Sequence, residues 1–305
     1  MSKIVVLWDV MLDIFSYGDV RRLNPESPAP LLNITHEEHK LWGSANVAAN
    51  LSSLNNGVDM IGIIWKDSYG NIFQEMCEKY DITAHLIVGS YPTITKQRFI
   101  ENTYEQQLLR VDYENIYEKN DEYNKQIIKS LQGIRPEYIV ISDYNKGIIN
   151  EDLILEVKSF AKKNNIKILA DIKPFNAKFF DGVYLLKPNF REFCEIIGQK
   201  IDNTEEQIVK RWSIFVKEMW SNLVVTRGSK WAILMRTNWT SLSVPTQAQQ
   251  VFDVTGAGDT FIATIAWALA SGHDLDTAIM FGNKASGVVV GKVGTAVITK
   301  KELDI

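Results

Sequence analysis

Asp253-Val254-Thr255-Gly256-Ala257-Gly258-Asp259-Thr260 is the stretch of this chain best equipped for chemistry. A β-like run, Gln250-Val251-Phe252, leads into it, and an apolar run from Phe261 to Ala266 leads out at helical length. Two glycines separated by an alanine therefore sit at a strand-to-helix junction, where the unpaired N–H groups of a helix start face any anion. Glycine lets the backbone approach a ligand with no Cβ in the way. Asp259 lies at the lip of those donors, where a carboxylate can take a proton from an attacking hydroxyl. An anion hole beside a base is what phosphoryl transfer to an alcohol requires, because positioning and charge stabilisation dominate that chemistry. The same string also fits a plain helix start, with Asp259 as a first-turn acid and the glycines making the turn.

The elements that must position these residues follow from the pattern of the chain. Lys3–Leu7 reads as a short buried strand, with Asp9 and Asp13 after its carboxyl end, where open α/β sheets place ligands. Residues 14–35 are extended and broken by prolines, which suits a small flap. Ser44 to Leu54 reads as a helix with small residues on one face, and a strand (Met60–Ile64) and an amphipathic helix near Gly70–Tyr80 follow. Ile94–Ile100 and Gln106–Tyr113 form an alternating pair, in which period two puts Lys96 and Arg98 on one face. With Arg110 they read as a solvated strand face or as a cationic lid over a phosphorylated substrate.

From residue 121 onward, strand–turn–helix units repeat. Helices are expected at Asp121–Leu131, Asn150–Asn164 and Thr204–Met219, and strands at Tyr138–Ser142, Lys167–Ala170, Gly182–Leu186 and Leu223–Thr226. Two closing helices are expected at Thr260–Ser271 and Leu275–Val290. The regular alternation predicts a doubly wound, mostly parallel α/β sheet flanked by helices.

Composition narrows the function. A chain of 305 residues with 46% hydrophobic and 23% charged residues can bury one large α/β core, with or without a small appendage. A net charge of −4 gives no reason to expect nucleic acid or an anionic membrane as partner. Cys77 and Cys194 lie far apart, which points to buried free thiols in a reducing cytoplasm. No signal-like start and no apolar run of about 18 residues is present.

Trp8-Asp9-Val10-Met11-Leu12-Asp13, Asn24 to Pro30, Pro92 to Lys96, Gln106 to Arg110, Ser142-Asp143-Tyr144-Asn145-Lys146-Gly147 and Val288 to Lys292 extend the motif over nearly the whole chain. Together they resemble the ribokinase/PfkB carbohydrate kinases, in particular the D-glycero-β-D-manno-heptose-7-phosphate kinase branch. The resemblance implies one ribokinase-like domain over residues 1–305, with lid segments at about 14–35 and 93–113. It implies ATP and Mg²⁺ as cofactors, and transfer to the anomeric hydroxyl of heptose 7-phosphate on the way to ADP-heptose and lipopolysaccharide. Asp259 is similar to the family's base, and Gly256, Ala257 and Gly258 to its anion hole. Asp13, Gly43 and Asn46 match sugar-side positions. Asn189 and Glu192 match the Asn-x-x-Glu element that places Mg²⁺ and phosphates, mainly through water. Thr226 and Gly228 match the nucleotide-side Thr-x-Gly, and Asn283 the region beside the adenine. Lys96, Arg98 and Arg110 are candidates for the substrate's own phosphate on charge alone. Members of this branch are often fused to an adenylyltransferase; the sequence here runs to Ile305, and reads as a separate kinase or one excised domain. Other sugar or nucleoside kinases of the fold, and a non-catalytic sugar-phosphate or nucleotide binder, are the alternatives. Exposed flap edges would suit a homodimer.

The departures from that pattern share one residue type. Tryptophan stands where the family has glycine at Trp8, Trp42, Trp65 and Trp231, and in turn-like settings at Trp220 and Trp239. Overpacking of this kind costs about 1–3 kcal/mol per bulky group, and Trp8 and Trp42 are expected to face the sugar. A sugar-stacking platform, a decayed kinase and a codon read as glycine by the source organism but written here as tryptophan are the competing explanations. The last accounts for the turn positions as well as the site.

Overall fold

A computed structural model describes residues 3–55, 57–230, 232–245, 253–292 and 295–304. The chain opens with β1 (Ile4–Trp8), then β2 (Val10–Leu23), β3 (Pro30–Gly43), α1 (Ser44–Asn55), β4 (Val58–Ile64), α2 (Ser68–Lys79) and β5 (Ile82–Val88). The strands β6 (Thr95–Glu101) and β7 (Gln106–Tyr113) precede α3 (Asp121–Ile134), β8 (Tyr138–Ser142), α4 (Glu151–Lys163) and β9 (Lys167–Asp171). Then come β10 (Leu185–Leu186), α5 (Phe190–Ile196), α6 (Glu205–Met219), β11 (Asn222–Thr226), β12 (Ala232–Met235) and β13 (Ser241–Val244). The last helices are α7 (Ala257–Ala270) and α8 (Leu275–Val289).

Among the described residues, nine strands form the main sheet in the order β13-β12-β11-β10-β9-β8-β1-β4-β5. The pairings from β5 across to β11 are parallel, and β12 and β13 add an antiparallel edge. β1 is wholly buried, as a strand covered on both faces must be. Its side chains alternate between two cores: Ile4 and Val6 pack with α1, α2, α7 and α8, while Val5 and Leu7 pack with α3 to α6. Helix α7 is apolar on every side and buried from Asp259 to Leu269, so it serves as the central pillar of the first core.

Most expected elements are present, with shifted ends. The helix expected from Thr260 begins at Ala257, which places Asp259 inside its first turn. The strand expected at Gly182–Leu186 shrinks to Leu185–Leu186. β5, β12 and β13 were not legible in the pattern. The Gln250-Val251-Phe252 run and Trp231 lie outside the described residues.

A second sheet, β3-β2-β6-β7, stands off the main one. β2 pairs antiparallel with β3 and parallel with β6, and β6 with β7 antiparallel. It starts at Val10 and runs to Gly43, wider than the proline-marked 14–35 segment, because β2 leaves the main sheet after a single intervening residue. Gly43 closes it with φ +68°, and a Cβ there would lie 2.4 Å from the Asp9 carbonyl oxygen.

The tryptophans behave unlike other residues of the fold. Trp8, Trp220 and Trp239 have φ of 128°, 46° and 69°. That is the left-handed half of backbone space, which costs side-chain-bearing residues about 1–3 kcal/mol. Trp8 is 1% exposed and sits in the second core, not on a sugar-facing wall, so the expectation of a tryptophan wall holds at most for half-buried Trp42. Trp220 follows directly on α6, where glycine is the usual left-handed terminator, and its side chain is 70% exposed. Trp220→Gly should therefore stabilise the protein by about 1 kcal/mol, read as a higher denaturant midpoint at unchanged slope.

Candidate active site

The carboxyl ends of β1, β8, β9 and β10 and the amino end of α7 converge on one cleft. Gly256 caps α7 with φ 77°, and a Cβ there would meet Asn46 Nδ2 at 2.7 Å. The conformation and the close approach each demand glycine. With Ala257 as the first helical residue, the amides of Gly258 and Asp259 have no acceptor one turn back, which leaves them available to an anion.

Asp259 is 3% exposed. Asn46 Nδ2, from α1, donates to its Oδ2 at 2.8 Å, and the Tyr144 hydroxyl, from the turn after β8, donates to its Oδ1 at 2.7 Å. Burial pushes the Asp259 carboxyl above its ordinary value, opposed by those two donors and by the charges of Lys187 and Lys173. A simple first-turn acid leaves such a pairing unexplained, since an exposed helix-start carboxylate needs neither partner.

Two lysines unassigned by the sequence flank the anion-binding turn. Lys187 is buried and pairs with Asp171 at 2.7 Å, and a Cβ on Gly258 would lie 3.2 Å from its ammonium. The Asp171 carboxyl is pushed up to about 6 by burial, against the pull of Lys187. Lys173 bonds Glu192 at 2.6 Å. Asn189 caps α5 and exchanges hydrogen bonds with Glu192 in a capping box, with 2.9 Å in each direction. Both Glu192 oxygens thus already accept from the protein. No cluster of three metal-ligating side chains forms among the described residues, so Mg²⁺ near Glu192 would be held chiefly by phosphate and water. Asn189 also bridges to Thr226.

Beside Gly258 a cleft of about 270 Å³ opens between the β11–β12 turn and helices α7 and α8. Thr226, Gly228, Ala257 and Asn283 line it. On the opposite side lies the flap. Asp13 is buried and accepts from Arg98 Nε at 2.9 and 3.2 Å. Burial raises its carboxyl, and Arg98, Lys40 and Lys96 pull it down. Lys96 bonds Asp112 at 3.0 Å and lies over the Trp42 ring, while Arg110 also pairs with Asp112. The three expected lid cations do share one sheet, but each is matched to a carboxylate, a fact that strand spacing alone could not reveal.

The chain matches a family model of pfkB carbohydrate kinases over residues 1–302. It belongs to the pfkB family of carbohydrate kinases. It is 36% identical to the bifunctional protein HldE of Haemophilus influenzae strain PittEE over 307 residues, and to that of Pasteurella multocida over 306. The matches take in 99% of this chain and 63% of each relative, so the chain spans less than two thirds of their length. Escherichia coli phosphofructokinase-2, in complex with potassium, superposes with a TM-score of 0.85 at 17% identity, covering 100% of this chain and 97% of that one. Thermotoga maritima ribokinase gives 0.76 at 21%, covering 100% and 98%. This pfkB-family chain has the ribokinase-like fold and is a phosphotransferase, as its motif implied.

Asp9, Asp171, Lys173, Lys187 and Tyr144 are the neighbours of the site that the sequence left without a role. All follow strand ends, the one signal that could have marked them. Asp9 is buried with Oδ1 unpartnered, and its Oδ2 accepts from the amides of Tyr144 (2.7 Å) and Lys146 (3.3 Å). Burial, and then the charge of Asp143, push its carboxyl up from 3.8 to about 7. The folded chain thus holds this proton more tightly than the unfolded chain, and stability falls as pH rises between those values. Asp9→Asn should exceed the parent by about 2–4 kcal/mol at pH 8 and converge with it below about pH 4 in denaturant melts.

Proposed function

We propose that the protein phosphorylates D-glycero-β-D-manno-heptose 7-phosphate at its anomeric hydroxyl, using ATP, to give heptose 1,7-bisphosphate for ADP-heptose and lipopolysaccharide synthesis. The observation that carries the phosphotransfer reading is the buried Asp259 carboxylate in the first turn of α7, beside a glycine-made opening and the Lys187 ammonium. The similarity to HldE over nearly the whole chain supports the choice of heptose phosphate.

Asp259 takes the proton of the anomeric hydroxyl as that oxygen attacks the γ-phosphorus; the bond to the bridging oxygen breaks and ADP departs. The anion hole of Gly256, Ala257 and Gly258 receives the negative charge that builds on the transferred group, with the free Gly258 amide as a donor to it. Asn46, Asp13 and Gly43 hold the sugar. Thr226, Gly228, Asn189 and Asn283 hold the nucleotide. Mg²⁺ would supply charge neutralisation between the phosphates, held near Glu192 through water. Lys96, Arg98 and Arg110 hold the substrate's own phosphate by exchanging a carboxylate partner for it. A homodimer through the flap sheet, in the cytoplasm, completes the reading; no helix among the described residues is long and apolar enough to cross a membrane.

Asp259→Asn should lower kcat by about 10²–10⁴-fold while ATP binding changes little. A coupled ADP-release assay across heptose 7-phosphate, fructose 6-phosphate and ribose tests the substrate. A preference for fructose 6-phosphate or ribose would overturn the heptose assignment, and full activity of Asp259→Asn the base.

A further inference from the structure

A carboxylate that accepts a proton from a substrate must present a free lone pair in a fixed direction, and burial works against its charge. At Asp259 each oxygen receives one protein donor, Asn46 on Oδ2 and Tyr144 on Oδ1. Together they stop the group from turning and leave its remaining lone pairs to the acceptor hydroxyl. Asn46 stands among the sugar-side residues already assigned. Tyr144 does not.

We propose that Tyr144 is the positioning residue of this kinase: its hydroxyl orients Asp259 and keeps it ionised. The inference rests on Asp259 being the base. Tyr144 is itself held firmly for the task. Its amide donates to Asp9 Oδ2 at 2.7 Å, its ring centroid lies 5.3 Å from that of Trp42, and the Lys173 ammonium sits 5.7 Å from the ring centre. Burial, and then the charge of Asp259, push the phenol well above its ordinary value, so it remains a donor throughout the working range. The other charges facing Asp259 are Lys187 and Lys173, and Asp171 faces the phenol. The two lysines lower the Asp259 carboxyl in the same direction as the phenol, but only the phenol, like Asn46, bonds it.

The test is the acid limb of the kcat/KM profile, measured by ADP release on whichever of heptose 7-phosphate, fructose 6-phosphate and ribose is turned over best. Tyr144→Phe keeps the ring and removes the donor. Its kcat should fall about 10–100-fold, its KM for ATP should hold, and its acid limb should move to higher pH, because a donor to the charged form has been lost. Replacing Tyr144 with 3-fluorotyrosine, a stronger donor, should move the limb to lower pH, which makes the test independent of a loss of folding. If Asp259→Asn is inactive and neither replacement moves the limb, the role of Tyr144 is refuted and the base stands. If Asp259→Asn turns over normally, both fall.

Backbone geometry carries a second inference. The non-glycine residues at positive φ, among those described, are Asp81, Glu105, Arg135, Asn145, Asn165 and Asp304, and the tryptophans Trp8, Trp220 and Trp239. No other aromatic and no β-branched residue joins them. Trp8 also buries an indole N–H with no acceptor, as do Trp212 and Trp267, although buried indoles usually find one. We infer that the natural residue at Trp8, Trp220 and Trp239 is glycine, encoded by UGA codons that the source cell reads as glycine. Reading the three codons and weighing the matching peptides from native cells tests it. UGA codons and peptides carrying glycine masses are expected; UGG codons, or tryptophan masses, would overturn it.

Discussion

A buried carboxylate at the head of a buried helix is the constraint on which the rest of this structure turns. Asp259 is nearly cut off from water, so its charge must be met by donors and cations supplied from elsewhere in the chain. They come from α1, from the turn after β8, and from the residues that follow β9 and β10. The parallel strands β8, β9 and β10 deliver Tyr144, Lys173 and Lys187 to one edge, because each strand of a doubly wound sheet releases its chain on the same side, while Asn46 enters at the start of α1 from the flap. The apolar shaft of α7 fixes the height at which they meet: with every face buried, the helix has no freedom to slide without opening the core.

Around that carboxylate the charges are arranged in partnered sets. Lys187 with Asp171, Lys173 with Glu192, and Arg98 with Asp13 each hold a cation beside a carboxylate that neutralises it. Low exposure makes an unpaired ammonium costly, so the partners are needed before any substrate arrives.

The motif from Asp253 to Thr260 and the alternation of strands and helices could be read from residue order, since each depends on neighbours in sequence. What escaped was set by distance. β5, β12 and β13 carry mixed burial or few residues, and their strand character comes from the neighbours they pair with. Tyr144 meets Asp259 across 115 positions of chain, and the pairing of Lys96, Arg98 and Arg110 depends on which carboxylates face them across the flap. Trp8 was expected on the sugar side, but its positive φ breaks the alternation of β1, and its side chain joins that of Leu7 in the second core.

The root of the flap has no slack. β2 begins one residue after β1 ends, β3 runs directly into α1, and the amide of Ser44 bonds the carbonyl of Asp9, tying departure and return together. Gly43 lets these two backbones touch. A flap on flexible hinges could flutter without consequence for the chemistry. This one is a lever with its fulcrum at Asp9 and Gly43: its long arm is the four-stranded flap sheet, and its short arm, three residues away, is Asn46 against Asp259. Any swing of the outer sheet is felt, geared down, at the carboxylate.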